Sequence, residues 1–240
     1  MAGNRTAEAR RTRLRKLAPR RKAWRRIFRW TLVLVAVIVA IPLLLVPLYR
    51  VAAPVSTLML WDRLTGEDVD RRWVTLDEVS PGLVRAVVAS EDNFFCRHHG
   101  VDWGEVREVL ATGADRGAST IAMQTARNLF LWQGRSFVRK GLEVPIALYA
   151  DLVLGKRRMM EIYLNIAEWG PGIFGIEAAA QHHFGVSAVA LTPRQAVLLA
   201  ITLPGPLSRD PAAPSASMER VAAIIADRVA AGPDVSCLGL

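Results

Sequence analysis

Residues 80–100 read SPGLVRAVVASEDNFFCRHHG and open with a helix start signal, a serine followed by a proline. Val84, Val88 and Phe95 recur at helical spacing, so they lie on one apolar face. Glu91 falls on the same face. A carboxylate among apolar side chains is costly to ionise, so we expect burial to raise its pKa. That environment suits a general base working near neutral pH, unless the helix end frays and Glu91 reaches water.

The residues next to Glu91 could instead form a pair of acids or a metal site. Asp92 lies about 100° farther round the helix, so the two acids are not expected to face one cleft. The four histidines of the chain occur as adjacent pairs at 98–99 and 182–183, and neighbouring side chains on a helix diverge. No pair of histidines has the spacing of a helical zinc site, so no metal site is predicted.

Helical patterns continue through the rest of the body. The sequence predicts helices that begin at Ser119 and Thr192 and others over 136–150, 156–168 and 176–184, with a last amphipathic helix over 217–231. Pro145 predicts a kink or break, and Gly155 separates two of the helices. No alternating strand pattern of useful length and no internal repeat is present. The predicted class is all-α.

A second polar stretch, GASTIAMQTARN at 117–128, follows a glycine-rich turn. Ser119 is the predicted N-cap of its helix, which would leave free backbone N–H groups for an anion. A polar face with a single charge then recurs at helical spacing, formed by Thr120, Gln124, Arg127 and Asn128. Amide and hydroxyl groups of this kind suit sugar hydroxyls and phosphate oxygens. A face that is merely solvated would more often carry Glu and Lys.

A third stretch, GRSFVRKGLE at 134–143, carries clustered charges. The simplest interpretation is a surface ion pair between Arg139 and Glu143. In the alternative, Arg135 and Lys140 face a phosphorylated ligand while Glu143 orients a cation or a substrate hydroxyl. The stretch alone does not decide between them.

The net charge of +9 arises from the N-terminus. Residues 1–29 contain twelve Arg and Lys with one acid, whereas residues 30–240 contain nineteen basic and twenty-one acidic side chains. Trp30 to Tyr49 is an uncharged run long enough to cross a bilayer core of roughly 30 Å. We therefore predict a basic cytoplasmic tail at 1–29, a membrane helix at 30–50 and an exported body. A cleaved signal peptide and a nucleic-acid-binding tail are the weaker alternatives.

The two cysteines, Cys96 and Cys237, are far apart in sequence. An exported protein can form a disulfide, but Cys237 is expected to lie in a loose tail. We predict two free thiols.

Together these stretches closely resemble the peptidoglycan glycosyltransferases of glycosyltransferase family 51, above all the monofunctional biosynthetic transglycosylases. The first family motif, EDxxFxxHxG, is matched by Glu91, Asp92, Phe95, His98 and Gly100. The second is matched across 117–128 except that Met123 replaces a glutamine. The third is matched by Arg135, Arg139, Lys140 and Glu143. The fourth is matched by Lys156, Glu161, Tyr163, Leu164 and Asn165, and a fifth region maps to 175–185. In a later segment Gln195 replaces a glutamate.

The resemblance implies a lysozyme-like helical glycosyltransferase domain at 51–208, followed by a linker and C-terminal helix at 209–240. It implies inverting polymerisation of lipid II into glycan strands with release of undecaprenyl diphosphate. The implied catalytic residues are Glu91 and Glu143. The implied substrate-binding residues are Ser119, Thr120, Gln124, Arg127, Asn128, Arg135 and Lys140. Asp92 and His98 are implied supporting residues.

By the same resemblance a divalent cation, Mg2+ or Mn2+, is a candidate cofactor, and the sequence does not show whether one is required. The resemblance implies lipid II, the growing glycan chain and the membrane as partners, with cell-wall synthesis or division proteins as further candidates and no nucleic acid. It places the catalytic domain on the periplasmic side of a bacterial inner membrane. A lytic cell-wall hydrolase and a non-catalytic membrane scaffold are the competing functions.

Overall fold

The computed structural model describes residues 3–112, 119–134 and 136–240. The chain forms two units, Met1–Leu45 and Val46–Leu240. A long helix, α1 (Gly3–Leu48), accounts for the described part of the first unit. Within it Trp24–Leu48 has a mean hydropathy of 2.9 over a window in which 11% of residues are buried. It is the one described helix apolar and long enough to cross a membrane, as the sequence predicts.

The second unit is built from helices with one small sheet. The helices are α2 (Thr57–Thr65), α3 (Pro81–Glu91), α4 (Trp103–Thr112), α5 (Ile121–Phe130), α6 (Phe137–Ile166), α7 (Ile176–Phe184), α8 (Pro193–Ala200) and α9 (Ala216–Ala230). Short 3-10 turns occupy Leu76–Glu78, Ala188–Ala190 and Ser236–Leu238. The helical, lysozyme-like class predicted from the sequence is confirmed.

The sheet is a feature that the sequence did not predict. Its strands are β1 (Asp70–Arg71), β2 (Glu168–Gly170) and β3 (Ile173–Phe174), in the order β1-β3-β2. β3 pairs in parallel with β1 and antiparallel with β2. Strands of two or three residues are too short to show an alternating pattern, which is why hydrophobic periodicity missed them.

Helix α3 lies within the core and carries Glu91 as its last residue. Its buried side chains include Leu83, Val84, Val87 and Val88, and it packs against α8 and α9. Helix α5 packs along α6. The end of α3 and the start of α5 are thus held by the core.

Helix α6 is interrupted at Gly155 and continues through Pro145. Gly155 has φ 72° and ψ 166°, outside the helical region, as expected for the boundary predicted there. Pro145 lies inside a continuous stretch of the helix, so a break at this residue is ruled out. Extensive packing on α5 offsets the single backbone hydrogen bond that a proline removes.

The C-terminal segment is fixed to the body, and the prediction of two free thiols is wrong. Cys96 and Cys237 form a disulfide with a Cα–Cα distance of 5.5 Å. Leu238 is buried, and its carbonyl oxygen accepts a hydrogen bond of 2.6 Å from Arg157 Nη1. Helix α9 returns the chain end to the loop after α3, a contact across 141 positions that leaves no local signal in the sequence.

Candidate active site

Glu91 lies at the C-terminal end of α3 and is half-buried. Burial raises the pKa of its carboxyl group above the usual range, as the sequence led us to expect. Hydrogen bonds from Gln124 Nε2 (3.0 Å) and Ser90 Oγ (3.2 Å) act in the opposite direction, as do the charges of Arg209 and Arg127. Desolvation and hydrogen bonding therefore act in opposite directions on the pKa of this carboxyl group, and desolvation is the larger effect.

Gln124 is held at both ends of its amide group. Its Nε2 donates to Glu91, and its Oε1 accepts a hydrogen bond of 3.0 Å from the Tyr163 hydroxyl. Tyr163 is 1% exposed, and burial, with the charge of Glu91, raises its pKa well above the usual range. The hydroxyl therefore stays protonated and fixes which end of the amide faces Glu91.

Asp92 joins the first motif to the second. Its Oδ1 is 2.8 Å from His98 Nε2, and its Oδ2 accepts a hydrogen bond of 3.0 Å from the Ile121 backbone N–H at the start of α5. Asp92 also borders the cleft that contains Glu91, but its side chain is only 3% exposed. Both of its oxygens are occupied by protein groups, which fits the supporting position inferred for Asp92 and His98.

The N-cap of α5 is Thr120, and the prediction of Ser119 is wrong by one residue. Thr120 Oγ1 accepts from the Met123 backbone N–H (3.2 Å) and donates to the Gly100 carbonyl oxygen (2.6 Å). Thr120 is 4% exposed, and its hydroxyl is bonded to other groups of the protein and not open to a ligand. Ser119 is left to accept a hydrogen bond of 2.6 Å from Lys140 Nζ.

Glu143 forms a buried cluster with two cations. It is 1% exposed and accepts from Arg139 Nη1 and, at 3.1 Å, from Lys140 Nζ. The pair with Arg139 predicted as a surface ion pair is therefore buried. Arg135, which was also expected in this cluster, lies outside the described residues.

A divalent cation does not fit at Glu143. Its two carboxylate oxygens are already bonded to Arg139 and Lys140. Within the described ranges, no group of three His, Cys, Asp or Glu side chains is placed to hold a metal ion.

The hydrogen bond between Glu91 and Gln124 joins a residue that lines one cleft to a residue that lines another. The first, of about 540 Å³, is lined by Glu91 and Ser119 among others. The second, of about 620 Å³, is lined by Gln124, Arg127 and Asn128 among others. Arg127 Nε is buried without a hydrogen-bond partner in the described part of the chain. A molecule in either cleft would thus lie close to the carboxylate or to its amide partner.

Two arginines near Glu91 were missed by the sequence analysis. The charge of Arg209 acts on Glu91, and its Nη1 donates to the Ile201 carbonyl oxygen. Arg228, on α9, lines the Glu91 cleft. Both lie in 209–240, whose composition resembles a linker followed by an ordinary amphipathic helix, so no local signal could have identified them.

Two departures from the family pattern have structural explanations. Met123 is 1% exposed and belongs to the core, so this position on α5 does not face either cleft. Gln195 forms a capping box, in which its Oε1 accepts from the backbone N–H and hydroxyl of Thr192, each at 2.9 Å. A glutamine fills this capping role as well as the usual glutamate.

The helical domain thus combines a half-buried carboxylate that lines one cleft, an amide partner that lines a second cleft and a nearby cluster of cations. Residues 59–230 match the family model described as transglycosylase, and the chain belongs to this family.

Several relatives carry the name "Biosynthetic peptidoglycan transglycosylase". One from Agrobacterium fabrum is 55% identical over 205 residues, which is 82% of this chain and 91% of the relative. One from Rhizobium leguminosarum bv. trifolii is 51% identical over 230 residues, covering 92% of this chain and 99% of the relative. One from Brucella suis is 52% identical over 212 residues, covering 85% and 95% respectively.

Proposed function

We propose that this enzyme, a peptidoglycan glycosyltransferase like its relatives, polymerises lipid II into glycan strands with inversion and releases undecaprenyl diphosphate. The observation that carries the proposal is the half-buried Glu91, whose pKa is raised by burial, which lines one cleft and accepts a hydrogen bond from Gln124, a residue of a second cleft. Two clefts whose linings are connected by this hydrogen bond provide room for an acceptor and a donor. The family match and the named relatives support the substrate class.

In the proposed reaction Glu91 acts as the general base. Its carboxylate takes the proton from the 4-hydroxyl of the acceptor sugar, and the oxygen forms a bond to the anomeric carbon of the donor. The bond from that carbon to the diphosphate oxygen breaks, and its electron pair leaves with the diphosphate. Gln124 orients the carboxylate, and Tyr163 orients Gln124. General base catalysis of this kind contributes about 10²–10⁴-fold to the rate.

The leaving group needs positive charge more than it needs an acid. We assign this role to Lys140 and Arg127, with Ser119 and Asn128 as hydrogen-bonding groups, and by resemblance to Arg135. Lys140 is already fixed by Ser119 and Glu143, so its ammonium group is oriented before substrate binds. In this proposal Glu143 holds Arg139 and Lys140 in place.

A hydrolase would need a second free carboxylate to flank the scissile bond. Asp92, the nearest acid in sequence, is bonded through both oxygens to His98 and the Ile121 N–H. This occupancy makes Asp92 a poor second carboxylate, and the family match and the named relatives support transfer to a diphosphate-activated donor over hydrolysis.

We further propose that the chain is anchored in the bacterial inner membrane, with its N-terminus in the cytoplasm and its catalytic unit in the periplasm. The arginine-rich segment before the apolar helix supports this orientation through the positive-inside rule. Lipid II keeps its polyprenyl tail in the bilayer, so a tethered enzyme meets its substrate at the membrane surface. Reporter fusions at the C-terminus, one active only outside the cytoplasm and one active only inside, test the orientation.

The function is tested by lipid II polymerisation with the wild type, Glu91→Gln and Glu219→Gln. Glu219 forms an exposed pair with Arg194 on the surface, so its substitution is the matched control. We expect glycan chains from the wild type and the control, and a loss of at least about 10²-fold in Glu91→Gln. Undiminished polymerisation by Glu91→Gln would refute the role of Glu91. Release of soluble fragments from purified cell wall, without chain growth from lipid II, would establish the hydrolase instead.

A further inference from the structure

The C-terminal helix forms part of the wall of the Glu91 cleft. Helix α9 packs against α3 through its buried residues Met218, Ala222 and Ile225. The segment after it is fastened to the loop that follows α3 by the Cys96–Cys237 disulfide and by an ion pair of 3.6 Å between Arg97 and Asp234. The last turn of α9 is therefore held close to the end of α3.

Arg228, in this last turn, reaches the end of the helix that carries Glu91. Its Nη1 donates to the Ala89 carbonyl oxygen at 3.3 Å, two residues before Glu91. The side chain lines the Glu91 cleft and also a smaller neighbouring depression of about 220 Å³ bordered by Asn93 and Phe94. Arg228 is thus at the place where a ligand in the Glu91 cleft would extend toward the C-terminal segment.

The charges around this cleft make Arg228 distinctive. Among the described residues that line it, Arg228 is the one with a permanent positive charge, whereas Glu91, Asp92, Asp102 and Glu105 are acidic. Apart from the bond to Ala89, none of the described residues accepts a hydrogen bond from the Arg228 guanidinium. The residue is exposed, so its remaining N–H groups can meet a ligand. A guanidinium with free donors binds a carboxylate or phosphate in a bidentate manner.

We propose that Arg228 binds an anionic group of the acceptor substrate, a carboxylate or a phosphate, in the Glu91 cleft. The proposal rests on the proposed function, in which the molecule in this cleft is lipid II. Lipid II carries both kinds of anion, on its stem peptide and on its diphosphate. Arg228 then acts as a binding residue supplied by the C-terminal helix, outside the motifs that the sequence identified.

Binding is measured with full-length enzyme carrying Glu91→Gln, so that substrate is held without turnover. In this background we compare Arg228→Ala and Arg228→Lys with Arg220→Ala. Arg220 is an exposed arginine two turns earlier on the same helix and lines neither depression, which makes it the matched control. We expect Arg228→Ala to raise the Kd for lipid II about tenfold, because one charged hydrogen-bonding group is lost. Arg228→Lys should recover part of that loss, and Arg220→Ala should match its parent.

The source of the anion is identified by repeating the measurement with lipid II whose peptide carboxylates are amidated. If the effect of Arg228→Ala disappears, the ligand is a peptide carboxylate. If it persists, the ligand is the diphosphate. Either result supports the site.

An unchanged Kd in a folded Arg228→Ala variant would overturn the proposal, and Arg228→Lys provides the same test if the alanine variant unfolds. In the enzyme with Glu91 intact, a fall in kcat with KM unchanged would also overturn it, because Arg228 would then only support the end of α3 through Ala89. Failure of the wild type to polymerise lipid II, with a Kd that still depends on Arg228, would refute the proposed function and leave the binding site standing.

Discussion

Gln124 Nε2 lies 3.0 Å from Glu91 Oε2, so a neutral amide donates a hydrogen bond directly to the half-buried carboxylate. Burial raises the pKa of Glu91, and this hydrogen bond lowers it. The two effects together set the pH at which the carboxylate can accept a proton.

Replacement of Gln124 by Leu should therefore shift the pH dependence of the enzyme. Glu91 must be ionised to act as a base, so kcat/KM falls as the pH drops through its pKa. Without the amide hydrogen bond the pKa of Glu91 rises further, and the acidic limb of the profile should move to higher pH. Tyr163→Phe, which removes only the donor to Gln124, should move it in the same direction by less. A limb that stays in place or moves to lower pH in Gln124→Leu contradicts this account.

Glu143→Gln should destabilise the fold as well as reduce activity. The substitution leaves Arg139, which is 8% exposed, as a buried charge with a weakened partner. Breaking a buried ion pair in this way costs about 3–5 kcal/mol in the free energy of unfolding. Urea unfolding of the detergent-solubilised protein measures it.

The control for Glu143 is Glu219→Gln, which breaks the exposed pair with Arg194 and should cost less than about 1 kcal/mol. Equal losses in the two variants would mean that the Glu143 cluster contributes no more than a surface pair.

The Cys96–Cys237 disulfide should contribute to stability in a redox-dependent manner. It closes a loop across 141 positions, and chain entropy predicts a contribution of up to about 5 kcal/mol. A reductant should lower the unfolding midpoint of the wild type to that of the Cys96→Ser/Cys237→Ser double variant and leave the variant unchanged. If the wild type and the variant unfold together with and without reductant, the disulfide is not formed in solution.

Gly100→Ala should be more destabilising than Gly66→Ala. Both glycines have positive φ, 75° and 85°, so each substitution costs about 1 kcal/mol in backbone strain. An added Cβ at Gly100 would lie 2.8 Å from the Ala147 carbonyl oxygen, whereas at Gly66 nothing lies within 4 Å. We expect a further loss of about 1–3 kcal/mol in Gly100→Ala. Thermal unfolding of both variants measures the difference, and equal losses would show that α6 moves aside without cost.

The sequence predicted those features that depend on local pattern. Helical periodicity identified the helices, placed Glu91 on an apolar face and located the break at Gly155, because each of these is encoded within a few turns of chain. The resemblance supplied the roles of Lys140 and Glu143. The N-cap was misplaced because Ser119 and Thr120 are adjacent and equally suited by composition.

Contacts between distant segments could not be predicted in this way. The Cys96–Cys237 bond and the approach of Arg228 to the end of α3 depend on how α9 packs. The hydrogen bonds that fix Gln124 depend on Tyr163, which the sequence identified only as a match to the fourth family motif. In each case the partner lies far along the chain, and no single stretch contains the information.

The disulfide also makes the enzyme a covalent ring with a tail. The ring is the segment from Cys96 to Cys237, and it contains Gln124, Lys140, Tyr163 and Arg228. Glu91, at the end of α3, precedes Cys96 in the chain and so lies just outside the ring. One cut by a protease anywhere inside the ring opens it without releasing a fragment. Glu91 and the residues that surround it then remain parts of one molecule until the bond between the cysteines is reduced.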